Sequence, residues 1–169
     1  RETLREACLS GDESKISSVV NSIRADLNPH PAGQMTLNTP DGEKHLNGVQ
    51  HKYPETVLLF PSAGQTCHAY CTYCFRWAQF IGDSNLRFAQ KEAEHFFSYL
   101  HKHREVTDVL VTGGDPMVMR TKMLQKYLEP FCDSEFLPHI NTIRFGSRAL
   151  TFWPKRFTED EDSNQLLAM

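Results

Sequence analysis

The chain has 169 residues, 40% of them hydrophobic, and a formal net charge of −3. It can bury a core, its scattered basic residues argue against nucleic acid as a partner, and no apolar run approaches membrane-spanning length, so no membrane association is expected. Five cysteines are an odd count in a chain that is not cysteine-dense, which argues against a disulfide framework and points to unpaired thiols in a reducing, cytoplasmic compartment.

Residues 1 to 27 read as helical. Ile16, Val19, Val20, Ile23 and Leu27 recur at helical spacing, and Gly11-Asp12 breaks the stretch in two. Residues 28 to 54 read as loop, with Asn28-Pro29-His30-Pro31, Thr39-Pro40-Asp41-Gly42 and Lys52-Tyr53-Pro54 as its turn signals. From residue 56 strands and helices alternate. Thr56–Phe60 is expected as a buried strand, Phe88–His103 as a helix with the stripe Ala89, Ala93, Phe96, Phe97 and Leu100, and Asp108–Thr112 as a second strand. Lys122–Leu128 is a short helix and Thr142–Phe145 a third strand. A last helix follows from about residue 158, with Glu159 to Asp162 at its start, where a helix dipole favours acidic groups. Strand–helix alternation of this kind implies parallel strands with right-handed crossovers. The expected organisation is α/β: residues 1–54 as a helical and irregular segment, and 55–169 as the main domain.

The chemistry is concentrated after the strands. Behind the first lies Cys67-His68-Ala69-Tyr70-Cys71-Thr72-Tyr73-Cys74-Phe75-Arg76. Three thiolates at this spacing suit three irons of a four-iron cubane and leave the fourth open to bind and reduce a small molecule. The competing reading is a zinc knuckle, which needs four closed ligands. His68 abuts Cys67, an awkward position for a fourth ligand, while Cys8 and Cys132 stand alone. Behind the second strand lies Gly113-Gly114-Asp115, where glycines permit close approach to a ligand and a carboxylate suits an ammonium group. Behind the third lies Gly146-Ser147-Arg148. Chemistry at the C-terminal ends of parallel strands is the pattern of barrel enzymes. The remaining histidines read as surface or core residues, and Met117, Met119 and Met123 as packing.

The cysteine loop resembles the signature of the radical S-adenosylmethionine (SAM) superfamily, with Tyr73 as the aromatic before the third cysteine. Together with Tyr53 to Phe60, Gly113-Gly114-Asp115, Ile143 to Arg148 and Trp153 to Thr158, it resembles the lysine 2,3-aminomutase family. The resemblance implies a partial (β/α)6 barrel of about three βα units. It implies a 4Fe–4S cluster on Cys67, Cys71 and Cys74, with SAM against Tyr73, Gly113, Gly114, Asp115, Ser147 and Arg148. Arg76 stands where the family holds the substrate carboxylate, a task that suits a planar guanidinium. The activity implied is cleavage of SAM to start a radical 1,2-amino migration on an amino acid or lysyl group, with a flavodoxin or ferredoxin as electron donor. The family also uses pyridoxal phosphate (PLP), gripped by arginines beside the Tyr-Pro element; here Lys52 and Thr56 stand in their place.

The other readings held against this one are a radical SAM enzyme without PLP and a non-catalytic zinc or iron module. Arg1 is not an initiator methionine and no cap closes the last helix, so the chain is expected to be a piece of a longer protein or a truncated product. Half a barrel leaves strand edges open, to be covered by the remaining barrel or by a second copy in a homo-oligomer.

Overall fold

The computed structural model describes residues 2–27, 35–40, 46–69, 71–74, 76–80, 86–133 and 135–169. Two helices, α1 (Glu2–Ser10) and α2 (Glu13–Leu27), open the chain. They part at Gly11, whose φ of 66° lies in the left-handed region that glycine enters freely. The expected loops at 28–31 and at Asp41-Gly42 lie outside the described residues, as do His30 and His45.

A four-stranded sheet follows, in the order β1 (Val49–Tyr53), β2 (Thr56–Leu59), β3 (Asp108–Val111), β4 (Thr142–Phe145). β2, β3 and β4 are parallel, with Leu59 level with Val111 and Val111 level with Phe145. The three expected strands are therefore present in register. β1 corrects the reading of 28–54 as loop: Val49-Gln50-His51-Lys52-Tyr53 pairs antiparallel with β2 through the turn Pro54-Glu55. Its centre is polar, so it carries no buried-strand signature; hairpin pairing to an apolar neighbour, not propensity, makes it a strand.

One face of the sheet carries the core. Val57, Leu59, Val109 and Val111 are buried against Phe96, Phe97 and Leu100 of α3 (Ala93–Lys102) and against Leu124 and Tyr127 of α4 (Thr121–Cys132). Each such side chain contributes about 1.5–3 kcal/mol on burial. α3 starts later than Phe88 because residues before it hold the sheet instead. Gln90 accepts from the Ser62 N–H at 2.8 Å and donates to the Phe60 carbonyl at 2.7 Å, extending the end of β2 by a bridge. α4 runs on to Cys132 and accommodates Pro130 in its last turn.

The C-terminal stretch also departs from expectation. Instead of one helix from 158 there are α5 (Ala149–Phe152), a 3-10 turn (Pro154–Phe157) and α6 (Ser163–Ala168). The acidic run lies ahead of α6, with Asp162 at its N-cap position, rather than forming its first turn. Asp162 accepts from the Thr121 N–H at 2.6 Å and from Arg156 at 2.6 and 3.2 Å. Arg156 is 2% exposed and also donates to the carbonyls of Met117 and Met119. Asp162 thus stands at the start of α6, where a helix dipole favours acidic groups, and also pairs with Arg156.

Candidate functional site

Because β2, β3 and β4 are parallel, the loops that follow them emerge at the same end of the sheet. They enclose a cavity of about 440 Å3. Its floor is the sheet face opposite the core, represented by Leu58 and Leu110. Cys67, Cys71, Cys74, Tyr73 and Arg76 line it from the first loop, Gly113, Gly114 and Asp115 from the second, and Ser147 and Arg148 from the third. The expected cluster, SAM and carboxylate-binding residues thus meet in one hollow, although they span three loops.

The three thiols line the same cavity. Burial raises the Cys74 thiol above its ordinary value, and the charges of Cys67 and Cys71 raise it further, against a lowering hydrogen bond from the Arg76 backbone. Mutual repulsion of this kind is what a cationic metal core relieves. Among the described residues, no three His, Cys, Asp or Glu side chains converge closely enough to hold one metal ion. Zinc would draw its sulfurs to about 2.3 Å from a single centre, whereas a cubane gives each thiolate its own iron. His68 does not line the cavity. Its ring lies edge-on to Trp153, with centroids 5.8 Å apart. Three cysteines lining one hollow fit a cluster held by three sulfurs, and His68 does not join them in lining it. The Ala69 N–H already points at the Cys67 sulfur, 3.4 Å away.

The two glycines are needed by the chain itself. A Cβ on Gly113 would lie 2.3 Å from the Gln65 amide nitrogen, and one on Gly114 would lie 2.2 Å from the Thr66 carbonyl oxygen. Gly113 also has a φ of 139°. With the Asp115 N–H donating to Thr66 at 2.9 Å, the second loop lies flush against the residues that lead into Cys67.

The Asp115 side chain closes the same junction. Its carboxylate is buried and accepts from the Met117 N–H at 2.9 Å, the Ser147 hydroxyl at 2.8 Å and the Arg148 N–H at 2.8 Å. It thereby caps the short 3-10 turn Pro116–Val118 and ties the second loop to the third. Among the described residues no lysine or arginine side chain is recorded in an ion pair with it; its ionisable neighbour is His68, at 3.7 Å. A buried carboxylate without a cationic partner places net negative charge at the cavity wall, which favours a positively charged ligand. The Arg148 guanidinium lies instead over the exposed Tyr73 ring, 5.5 Å from its centroid, joining the third loop to the first across the cavity.

Arg76 is 8% exposed, with its guanidinium 4.1 Å over the Phe60 ring. It donates to Gln50 Oε1 and, at 3.5 Å, to Gln79 Oε1. Burial pulls it down to about 10, opposed by the neighbouring Cys74 charge. Gln50, which belongs to the unforeseen β1, and Phe60 thus hold the residue that sequence reasoning assigned to a substrate carboxylate. No local sequence signal marks Gln50; only the pairing of β1 brings it there.

The positions where PLP would be gripped border a separate hollow of about 220 Å3. Lys52 is exposed, its ammonium 5.1 Å over the Tyr53 ring, and the Thr56 hydroxyl donates toward Asp108 at 3.5 Å. Asp108 is further held by a two-pronged contact from Arg144 at 2.9 and 2.5 Å. One exposed ammonium and an engaged hydroxyl do not make a phosphate grip, so these residues do not fit PLP. A larger hollow of about 530 Å3 beside Trp153 and Arg156 holds no thiol, and Arg156 is engaged on every side there. No helix is long and apolar enough to cross a membrane, among the residues described.

Comparison with known proteins agrees with this geometry. The sequence model of the 4Fe-4S single cluster domain matches residues 56–140, half of the chain. A putative L-lysine 2,3-aminomutase of Aquifex aeolicus (strain VF5) is 31% identical over 128 residues, covering 76% of this chain and 32% of that protein. The L-lysine 2,3-aminomutase of Bacillus subtilis (strain 168) is 29% identical over 70% of the chain and 24% of its own length. The glutamate 2,3-aminomutase of Clostridioides difficile (strain 630) is 29% identical over 75% of the chain and 29% of its length. The chain spans about a third or less of the length of these relatives.

Proposed function

This chain belongs to the 4Fe-4S single cluster domain family, and we propose that it forms the cluster-binding and SAM-binding part of a radical SAM enzyme of the lysine 2,3-aminomutase type. The observation that carries this reading is the meeting of three loops, one behind each parallel strand, in a single cavity that all three cysteines line. In this reading β1 to β4, with α3 and α4, are the first part of an incomplete (β/α)6 barrel. That unit starts at Val49, where the sheet starts.

A 4Fe–4S cluster bound there would supply the one-electron reducing power that radical SAM chemistry needs. The chain's own residues do the rest. Cys67, Cys71 and Cys74 would hold the cluster from the loop that lines the cavity. The charge of Asp115 favours the cationic end of SAM at the wall beside Gly113 and Gly114. Tyr73, overlain by Arg148, gives an aromatic surface for the adenine. Ser147 and the Arg148 backbone keep the Asp115 carboxylate in place. Arg76, fixed by Gln50 and Phe60, offers a guanidinium to an amino acid carboxylate. No step is assigned to PLP.

The test is release of 5′-deoxyadenosine from SAM by the anaerobic, reduced, iron–sulfide-loaded chain. Wild-type protein is expected to release it, and each single cysteine variant at 67, 71 or 74 is expected to lose it. SAM left intact by a fully loaded, reduced protein would contradict the proposal.

A further inference from the structure

His68 is the residue between Cys67 and Ala69, and both its ring nitrogens are shut off from solvent with no hydrogen-bond partner. Leaving a buried polar atom unpaired costs about 1–3 kcal/mol, so two on one ring call for a physical reason. The ring is held edge-on by Trp153, and Nε2 stands 3.7 Å from Asp115 Oδ2, just beyond hydrogen-bond reach. An ionised carboxylate has about four acceptor directions. Three at Asp115 are taken, by Met117, Ser147 and Arg148. A buried donor without an acceptor therefore faces a buried acceptor with one direction left.

We propose that His68 is a positioning residue: its Nε2–H completes the hydrogen bonding of Asp115 and pins the cysteine loop to the Gly-Gly-Asp loop, fixing the turn in which the Ala69 N–H points at the Cys67 sulfur. The inference rests on the cluster reading for its effect on iron chemistry. Hydrogen bonds to cluster sulfurs help set the reduction potential, so loosening this turn makes the cluster harder to reduce. The neutral, N–H-bearing ring suffices, and no change of protonation is involved.

His68→Phe keeps a ring against Trp153 and removes both nitrogens; His68→Asn restores a donor. In the anaerobically loaded chain, His68→Phe is expected to hold as much iron and sulfide as wild type, with a more negative reduction potential and an altered EPR spectrum of the reduced state. His68→Asn is expected to return both toward wild type. In the metal-free chain, His68→Phe is expected to speed hydrogen exchange at the Ala69 amide. A wild-type potential and spectrum in His68→Phe, or unchanged Ala69 exchange, would overturn the proposal. If wild type itself takes up no iron and sulfide, the cluster reading fails, and the exchange measurement still decides the role of His68.

Discussion

At Asp115 one carboxylate joins two loops and sets the charge of the cavity. Asp115→Asn removes the charge and keeps most of the side chain's volume. SAM binding is expected to weaken by roughly 1 kcal/mol, the scale of a unit charge a few ångströms away, while iron content is unchanged. Equilibrium binding of SAM to the loaded variant checks this, and unchanged affinity would remove the charge argument. Asp162 gives a pH dependence. Its carboxyl lies well below the usual range, held there by the Thr121 backbone N–H and by Arg156. The ionised form is favoured in the fold. Its stabilisation is therefore present above the unfolded-chain value of about 4 and is lost as pH falls through the depressed folded value. Thermal midpoints measured from pH 7 downward should fall more steeply for wild type than for Asp162→Asn.

The cysteine spacing and the Gly-Gly-Asp run were legible because each is short and local. The partners of these residues were not. Ser147 meets Asp115 across 32 residues, and Thr121 meets Asp162 across 41, so no local pattern announces either contact. Gln50 could not be seen behind Arg76 because its strand is polar.

Among the elements, the parallel strands were readable from their β-branched, apolar runs, and their loops carried the chemistry. β1 and the start of α3 were not, because both are decided by pairing at the end of β2. The flush contact of the second loop on Gln65 and Thr66 makes a graded test. A Cβ at Gly114 would sit 2.2 Å from the Thr66 carbonyl oxygen, whereas one at Gly146 would sit 3.3 Å from the Thr112 hydroxyl oxygen. Gly114→Ala is expected to cost about 1–3 kcal/mol, as overpacking does, and to impair cluster loading by displacing Thr66 and Cys67. Gly146→Ala is expected to leave both close to wild type. Arg156→Ala should destabilise the C-terminal elements by about 1–3 kcal/mol, because it removes hydrogen bonds to Asp162 and to two carbonyls. Denaturant unfolding of each variant reads these differences.

For the whole molecule, a sheet with β4 at one edge and a cavity open above it has two consequences. The isolated chain is expected to associate through that edge at high concentration. It is also expected to form no β-amino acid, because water reaches an incompletely walled site; steady β-amino acid formation by a monomer would contradict the partial-barrel reading. The central claim is that three thiols, and no more, hold an iron–sulfur cluster. Anaerobic loading with iron and sulfide, followed by metal analysis and EPR, tests it most directly. The account predicts about four irons per chain, a reducible centre abolished by Cys67→Ala, Cys71→Ala or Cys74→Ala, and no loss in Cys8→Ala or Cys132→Ala. Zinc bound one to one without sulfide, or loss of the centre in Cys132→Ala, would contradict it.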